Sequence, residues 1–322
     1  MHPELLRFVN ELHIGVSMFF VLSGFLIAFT YADKPIQSPS SYFKYLLVRV
    51  ARIFPLYWLI LLALEIDPKF SSIKHPVLTA SLLHGFSSKL NLNGLAQAWS
   101  LNVEMTFYIL APVLFLLKRK SWLLLFASLI ALLLMSIGVG ELWKIWNSNP
   151  LNFFLPVKFI LGSTFPGRFI EFIAGMGLAQ LISQNHRLLL IPNKTLTGIA
   201  GVIVSCYAMG LFQPDIFHHG SDHPAGWLIH TLILPIFVVL LYAGLITEST
   251  KIQHFLQSKT MTLLGNASFA FYLIHISYVN IKIRNYHLMP DRNFTLLWLL
   301  SIILYLAFEK PIYQLCKKSF RK

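Results

Sequence analysis

The chain has 322 residues, of which 56% are apolar and only 12% charged, with Lys+Arg 26 against Asp+Glu 13. A soluble domain carries about 25% charged residues, and a single water-soluble core rarely grows past ~250–300 residues. This composition excludes a soluble globular protein, a disordered chain and a disulfide scaffold. It leaves a polytopic membrane protein whose net charge of +13 needs an explanation.

A bilayer core of ~30 Å is crossed by about 20 mostly apolar residues in a helix. In chain order, nine stretches meet or nearly meet this length: 14–31, 46–66, 98–117, 121–140, 168–184, 196–213, 227–247, 263–281 and 294–312. Turn or charge signals such as Asp33-Lys34-Pro35, Lys118-Arg119-Lys120 and Pro192-Asn193-Lys194 end most of them. Segments 76–88 and 151–166 are apolar but short and broken by Pro or His, which suits interfacial or re-entrant pieces. The expected fold is therefore an all-α transmembrane bundle in a single domain, 1–322. Cys206, in an apolar run, and Cys316, in the basic tail, offer neither a metal spacing nor an evident disulfide.

Lys/Arg counting orients the bundle. With loop 32–45 in the cytoplasm, that side holds 16 of the 26 basic residues and three acidic ones, Asp33, Glu248 and Glu309. The opposite side holds 10 basic and 10 acidic residues. The whole excess of +13 thus falls on one face, as the positive-inside bias requires, and the C-terminus is cytoplasmic.

Ionisable groups within spans are costly and mark function by default. Arg49 and Arg52 share one helical face near the cytoplasmic end, a placement that suits either snorkelling anchors or an anion site, since guanidinium forks match phosphates. Ser100, Glu104 and Tyr108 recur every four residues as one polar stripe, with Glu104 about one turn inside the outer face. Arg168 and Glu171 are spaced to pair with each other, beside Gly175 and Gly177, which permit close helix approach. Gly265, Ser268, Tyr272 and His275 form a further stripe that ends in a titratable imidazole. The external loop 214–226 carries His218, His219, Asp222 and His223 in a loose metal-like spacing, but no helix fixes them, and no metal is expected. No Walker loop, dinucleotide fingerprint or Cys/His zinc motif is present, and nucleic-acid stacking is not indicated.

With these residues in view, the chain resembles the acyltransferase-3 family of integral-membrane O-acyltransferases. The resemblance runs in order through Gly15 to Phe25, Arg49-Val50-Ala51-Arg52 to Tyr57, Trp99 to Pro112, Arg168 to Gly175, Gly265 to His275, and Phe308-Glu309-Lys310-Pro311. It covers almost the whole chain, and six motifs in sequence are specific where any one is weak.

The resemblance implies a transferase that moves an acyl group other than aminoacyl, commonly acetyl, from cytoplasmic acyl-CoA to a hydroxyl. The acceptor would be a cell-surface glycan or lipid-linked sugar at the inner membrane. Arg49 and Arg52 would hold coenzyme A phosphates. Glu104, Tyr108, Arg168 and His275 would bind the acceptor or handle its proton. The family also carries a first helix with an Arg/Lys and a His, the proposed base, whereas this chain begins almost at the second. Neither His2 nor His13 has that setting. An N-terminally incomplete chain is the expectation; were the missing helix essential, the chain alone would be inactive. A membrane transporter or polysaccharide-export component is the alternative, since buried Glu, Arg and His also mark ion pathways.

Overall fold

The computed structural model describes residues 3–32, 38–65, 73–146, 149–215, 218–276 and 290–319. His2, the Asp33-Lys34-Pro35 signal and the end of the expected span 263–281 lie outside them. The described residues are overwhelmingly helical, with one isolated β-bridge. The main helices are α1 (Pro3–Asn10), α2 (Gly15–Tyr31), α3 (Pro39–Glu65), α4 (Trp99–Lys120), α5 (Trp122–Ile145), α6 (Phe165–Ser183), α7 (Lys194–Gly210), α8 (Leu234–Thr247), α9 (Lys259–Ile274), α10 (Pro290–Leu304) and α11 (Lys310–Ser319).

Six helical stretches are long and apolar enough to cross a membrane: Glu4–Tyr31, Pro39–Glu65, Ala96–Lys120, Trp122–Ile145, Pro224–Thr247 and Asn293–Cys316. Three further expected spans are helical as well. They are α6, which carries charge within it, and the shorter α7 and α9. The protein is a multi-pass, all-α membrane bundle.

Two expected boundaries move. The first span begins near Glu4, not near residue 14, because a 3-10 turn over Glu11–Ile14 joins α1 to α2 in one helical stretch. Glu11 is fully buried, and its Oε1 accepts hydrogen bonds from Gln213 Nε2 and the Gly220 N–H. A carboxylate anchored through one oxygen in this way can stay inside a helical stretch. α3 likewise starts at Pro39, seven residues before the apolar run, and continues through Pro55.

The chain divides into two compact units, residues 1–35 with 168–256, and residues 36–167 with 257–322. In the first unit, α2 and α6 meet through glycine. A Cβ on Gly175 would lie 2.0 Å from Val21 O, and one on Gly24 would lie 2.1 Å from Phe172 O. Backbones this close leave no room for a side chain. Gly177 departs from expectation: a Cβ there meets nothing within 4 Å, so only Gly175 of the pair serves the contact. α7 packs on α8 in the same manner, with Gly198 against Leu241, Gly201 against Phe237 and Gly244 against Thr195.

Glu248, just past α8, caps α7. It accepts the Lys194 N–H at 2.7 Å, the Thr195 N–H at 3.0 Å and the Thr195 hydroxyl at 2.7 Å, and Lys194 Nζ lies 3.1 Å away. Partial burial alone would raise this carboxyl, but the hydrogen bonds from Thr195 and Lys194 outweigh it and pull its pKa down to about 2. The cap's contribution is therefore complete above the ordinary carboxylate range and fades as pH falls from about 4.3 toward 2. Glu248→Gln is expected to destabilise the detergent-solubilised chain by about 2 kcal/mol at pH 7, with the deficit vanishing near the acid limit. Thermal unfolding at both pH values checks this.

In the second unit the two short apolar segments, expected as separate interfacial pieces, pair with each other. Ser87 bridges Phe153, Phe154 N–H donates to Phe86 O at 3.0 Å, and Lys89 Nζ reaches Pro150 O at 2.7 Å. Gly85 lies against α4, where a Cβ would sit 2.5 Å from Asn102 Cβ, and Asn102 Nδ2 donates to Leu82 O at 2.9 Å. This clamp fixes the first turns of α4, which carry the polar stripe.

Candidate functional site

In the second unit α3, α4 and the segment around Glu309 gather one set of the expected residues. Arg49 is 9% exposed, and its guanidinium lies 5.7 Å from the ring centroids of both Tyr45 and Tyr108. Two aromatic faces hold a cation in an apolar setting by cation–π attraction. Tyr45 OH donates to Tyr108 O at 3.0 Å, which fastens α3 to α4 at this level. Arg52 is more exposed, and Tyr108, Glu104, Glu309 and Tyr313 act on it electrostatically. The two arginines thus share a face, as their spacing requires, one inside and one at its rim.

Tyr108 is buried, and its hydroxyl donates to the half-buried Glu104 carboxylate. The stripe divides above this point. Ser100 Oγ lies 2.7 Å from Tyr272 OH, and both hydroxyls donate to Gln97 O. Gln97 Nε2 in turn donates to Leu273 O at 2.6 Å. This cross-link joins α4 to α9. His275 closes α9, with Nδ1 2.7 Å from Tyr272 O and its ring stacked 5.8 Å from that of Phe271. Arg49, Arg52, Glu104 and Tyr108 therefore form one group, which Ser100 and Tyr272 link to the His275 end of α9.

Arg168 belongs to the first unit. Arg168 and Glu171 are 5% and 1% exposed. Nε donates to Glu171 Oε2 at 2.8 Å, and Nη2 donates to Oε1 and, at 2.9 Å, to Ser17 Oγ. The expected internal ion pair is thus present, and it extends further. Ser17 Oγ lies 3.0 Å from His230 Nε2, and the His13 and His230 rings stack at 6.0 Å. The Arg168 guanidinium also covers the Phe20 ring at 5.2 Å. The result is a buried chain, Glu171–Arg168–Ser17–His230, that binds α2, α6 and the helix before α8.

Sequence reasoning passed over Ser17, His230 and Glu11. A signal existed for His230, an ionisable residue within an apolar span. Its partner, 213 positions away, could not be read from spacing. Both polar groups also coincide with π-turns, Ile229–Ile233 at His230 and Tyr305–Glu309 at Glu309. Such a turn inserts a residue, re-aims the side chains within it, and is frequent at functional sites.

Comparison with known proteins agrees with this architecture. The model of the acyltransferase-3 family, described as an acyltransferase domain, matches residues 5–308. The chain is 25% identical over 287 residues to acyltransferase MdmB of Streptomyces mycarofaciens, covering 81% of this chain and 67% of that protein. No solved structure matches. The match spans both units and every motif described above except the last, of which it reaches only Phe308. This chain belongs to the acyltransferase-3 family and is a membrane acyltransferase.

Proposed function

We propose that the protein transfers an acyl group, acetyl in the commonest case, from cytoplasmic acyl-CoA to a hydroxyl of a cell-surface glycan or lipid-linked sugar. It is thus a transferase of groups other than aminoacyl. The observation that carries this reading is the Arg49 guanidinium held between Tyr45 and Tyr108, with Arg52 beside it at the rim. A cation fixed in an apolar helix bundle favours an anionic ligand, and paired guanidinium forks suit the phosphates of coenzyme A. The positive-inside bias supports reading this end of α3, and the C-terminus, as cytoplasmic, and the protein is proposed to lie in the inner membrane.

In the proposed reaction a general base takes the acceptor hydroxyl proton while that oxygen attacks the thioester carbonyl. The C–O bond forms, the tetrahedral intermediate collapses, the C–S bond breaks, and coenzyme A leaves as the thiol after taking up a proton. Glu104, whose carboxylate accepts from Tyr108, is assigned to accept hydrogen bonds from a sugar or receive its proton. Arg168 and His275 are assigned to acceptor binding or proton handling. Ser100 and Ser268 are already engaged, with Tyr272 OH and Gly265 O respectively, and neither is assigned as an acyl carrier.

Membranes containing the chain, supplied with labelled acetyl-CoA and a panel of sugar acceptors, are expected to form alkali-labile ester and release coenzyme A. Absence of transfer across the panel, together with a salt- or proton-coupled solute flux, would favour transport instead.

A further inference from the structure

Glu11, His13 and His219 bring one carboxylate oxygen and two imidazole nitrogens within 4.8 Å of one another. None of them belongs to the arginine group of the second unit. His219 comes from the external histidine loop, whose residues appeared in the sequence to have no rigid support. The structure supplies that support from the other end of the chain. Glu11 Oε1 holds the loop through the Gly220 N–H at 2.5 Å, and Asn10 Nδ2 donates to His218 O at 3.1 Å.

The same carboxylate leaves its second oxygen unused. Glu11 Oε2 is buried and has no hydrogen-bond partner. A buried carboxylate oxygen without a donor is rare and calls for a positive group opposite it. His13 Nδ1 is 4.0 Å from this oxygen and 3.1 Å from Asn10 O. A neutral imidazole carries a lone pair on one of its two ring nitrogens, so His13 can offer that nitrogen to a cation while the other donates a hydrogen bond. The His13 and His219 rings lie 4.0 Å apart between centroids.

We propose that Glu11, His13 and His219 bind a divalent transition-metal ion of the zinc type, pinning the N-terminal segment to the loop before Pro224. Two imidazoles and one carboxylate form a borderline ligand set that suits zinc over calcium or magnesium, with water in the fourth position. Ligand atoms in a tetrahedral site with bonds of ~2.1 Å lie about 3.4 Å apart. The three groups must therefore draw together by about an ångström, which rotation of the exposed His13 and half-exposed His219 side chains supplies.

The test uses the purified chain in detergent, without a histidine tag, stripped by a chelator, exposed to Zn²⁺ and freed of unbound metal. Mass spectrometry is expected to find about one zinc per chain, and Co²⁺ in its place is expected to give a visible d–d absorption band. Glu11→Gln keeps the Oε1 acceptor that holds the loop, and His219→Ala changes only a half-exposed side chain. Each is expected to lower zinc affinity by more than about tenfold. His218→Ala, on the same loop but outside the group, is expected to leave it unchanged. No retained zinc in the parent chain, or equal affinity in the parent, Glu11→Gln and His219→Ala chains, would overturn the proposal.

Discussion

Replacing Arg49 and Arg52 together with Ala is expected to remove acyl-CoA use while the protein still inserts. Each charge-assisted contact to a phosphate contributes about 1.5–3 kcal/mol. Losing two should lower kcat/KM by roughly 100-fold or more, at 1.36 kcal/mol per factor of ten. The insertion half of the expectation follows from the surroundings. Arg49 touches the aromatic faces of Tyr45 and Tyr108, and the Tyr45–Tyr108 O hydrogen bond that joins α3 to α4 does not involve it. Lys in both positions should restore charge but little activity, because a point charge lacks the planar fork. Transfer assays on membranes with matched protein levels check this, and unchanged activity in the Ala pair would remove the donor-site assignment.

The second large effect is on stability. Arg168→Met leaves Glu171, 1% exposed, without the cation that three of its hydrogen bonds come from. Breaking one half of a buried pair costs about 3–5 kcal/mol, because an uncompensated charge remains in a low-dielectric setting. The double change Arg168→Met with Glu171→Met should recover most of that loss, since removing both charges also removes their desolvation penalty. It should not recover activity if Arg168 binds the acceptor. Thermal unfolding of the parent, both single variants and the double variant completes the cycle. A single variant as stable as the parent would mean that solvent already screens the pair.

The arrangement of spans was legible because hydropathy and turn chemistry are local. So was the Arg168–Glu171 pair, since residues three apart on a helix face each other. The Glu104–Tyr108 contact follows the same rule at a separation of four. What could not be read were contacts that depend on which helix lies next to which. Ser17 meets His230 across the first unit, and Tyr272 meets Ser100 across the second. Glu11 was the clearest case. A carboxylate at the edge of an apolar run looked like the end of a span, yet it is buried and held by partners more than 200 positions away. The same blind spot made the histidine loop look unsupported, because its scaffold lies near the N-terminus. The π-turns at His230 and Glu309 are equally non-local, since an inserted residue changes the facing of side chains without changing the apolar pattern.

The proposed acyl donor, bound at the arginines of α3, is a coenzyme A thioester. Its most direct test follows acetyl-CoA in proteoliposomes of the purified chain, counting released thiol and alkali-labile ester on a sugar acceptor together. One thiol for each ester is expected, with both lost in the Arg49→Ala, Arg52→Ala chain. Ester formed equally well by that chain, or no ester alongside ion-coupled movement of a solute, would contradict it.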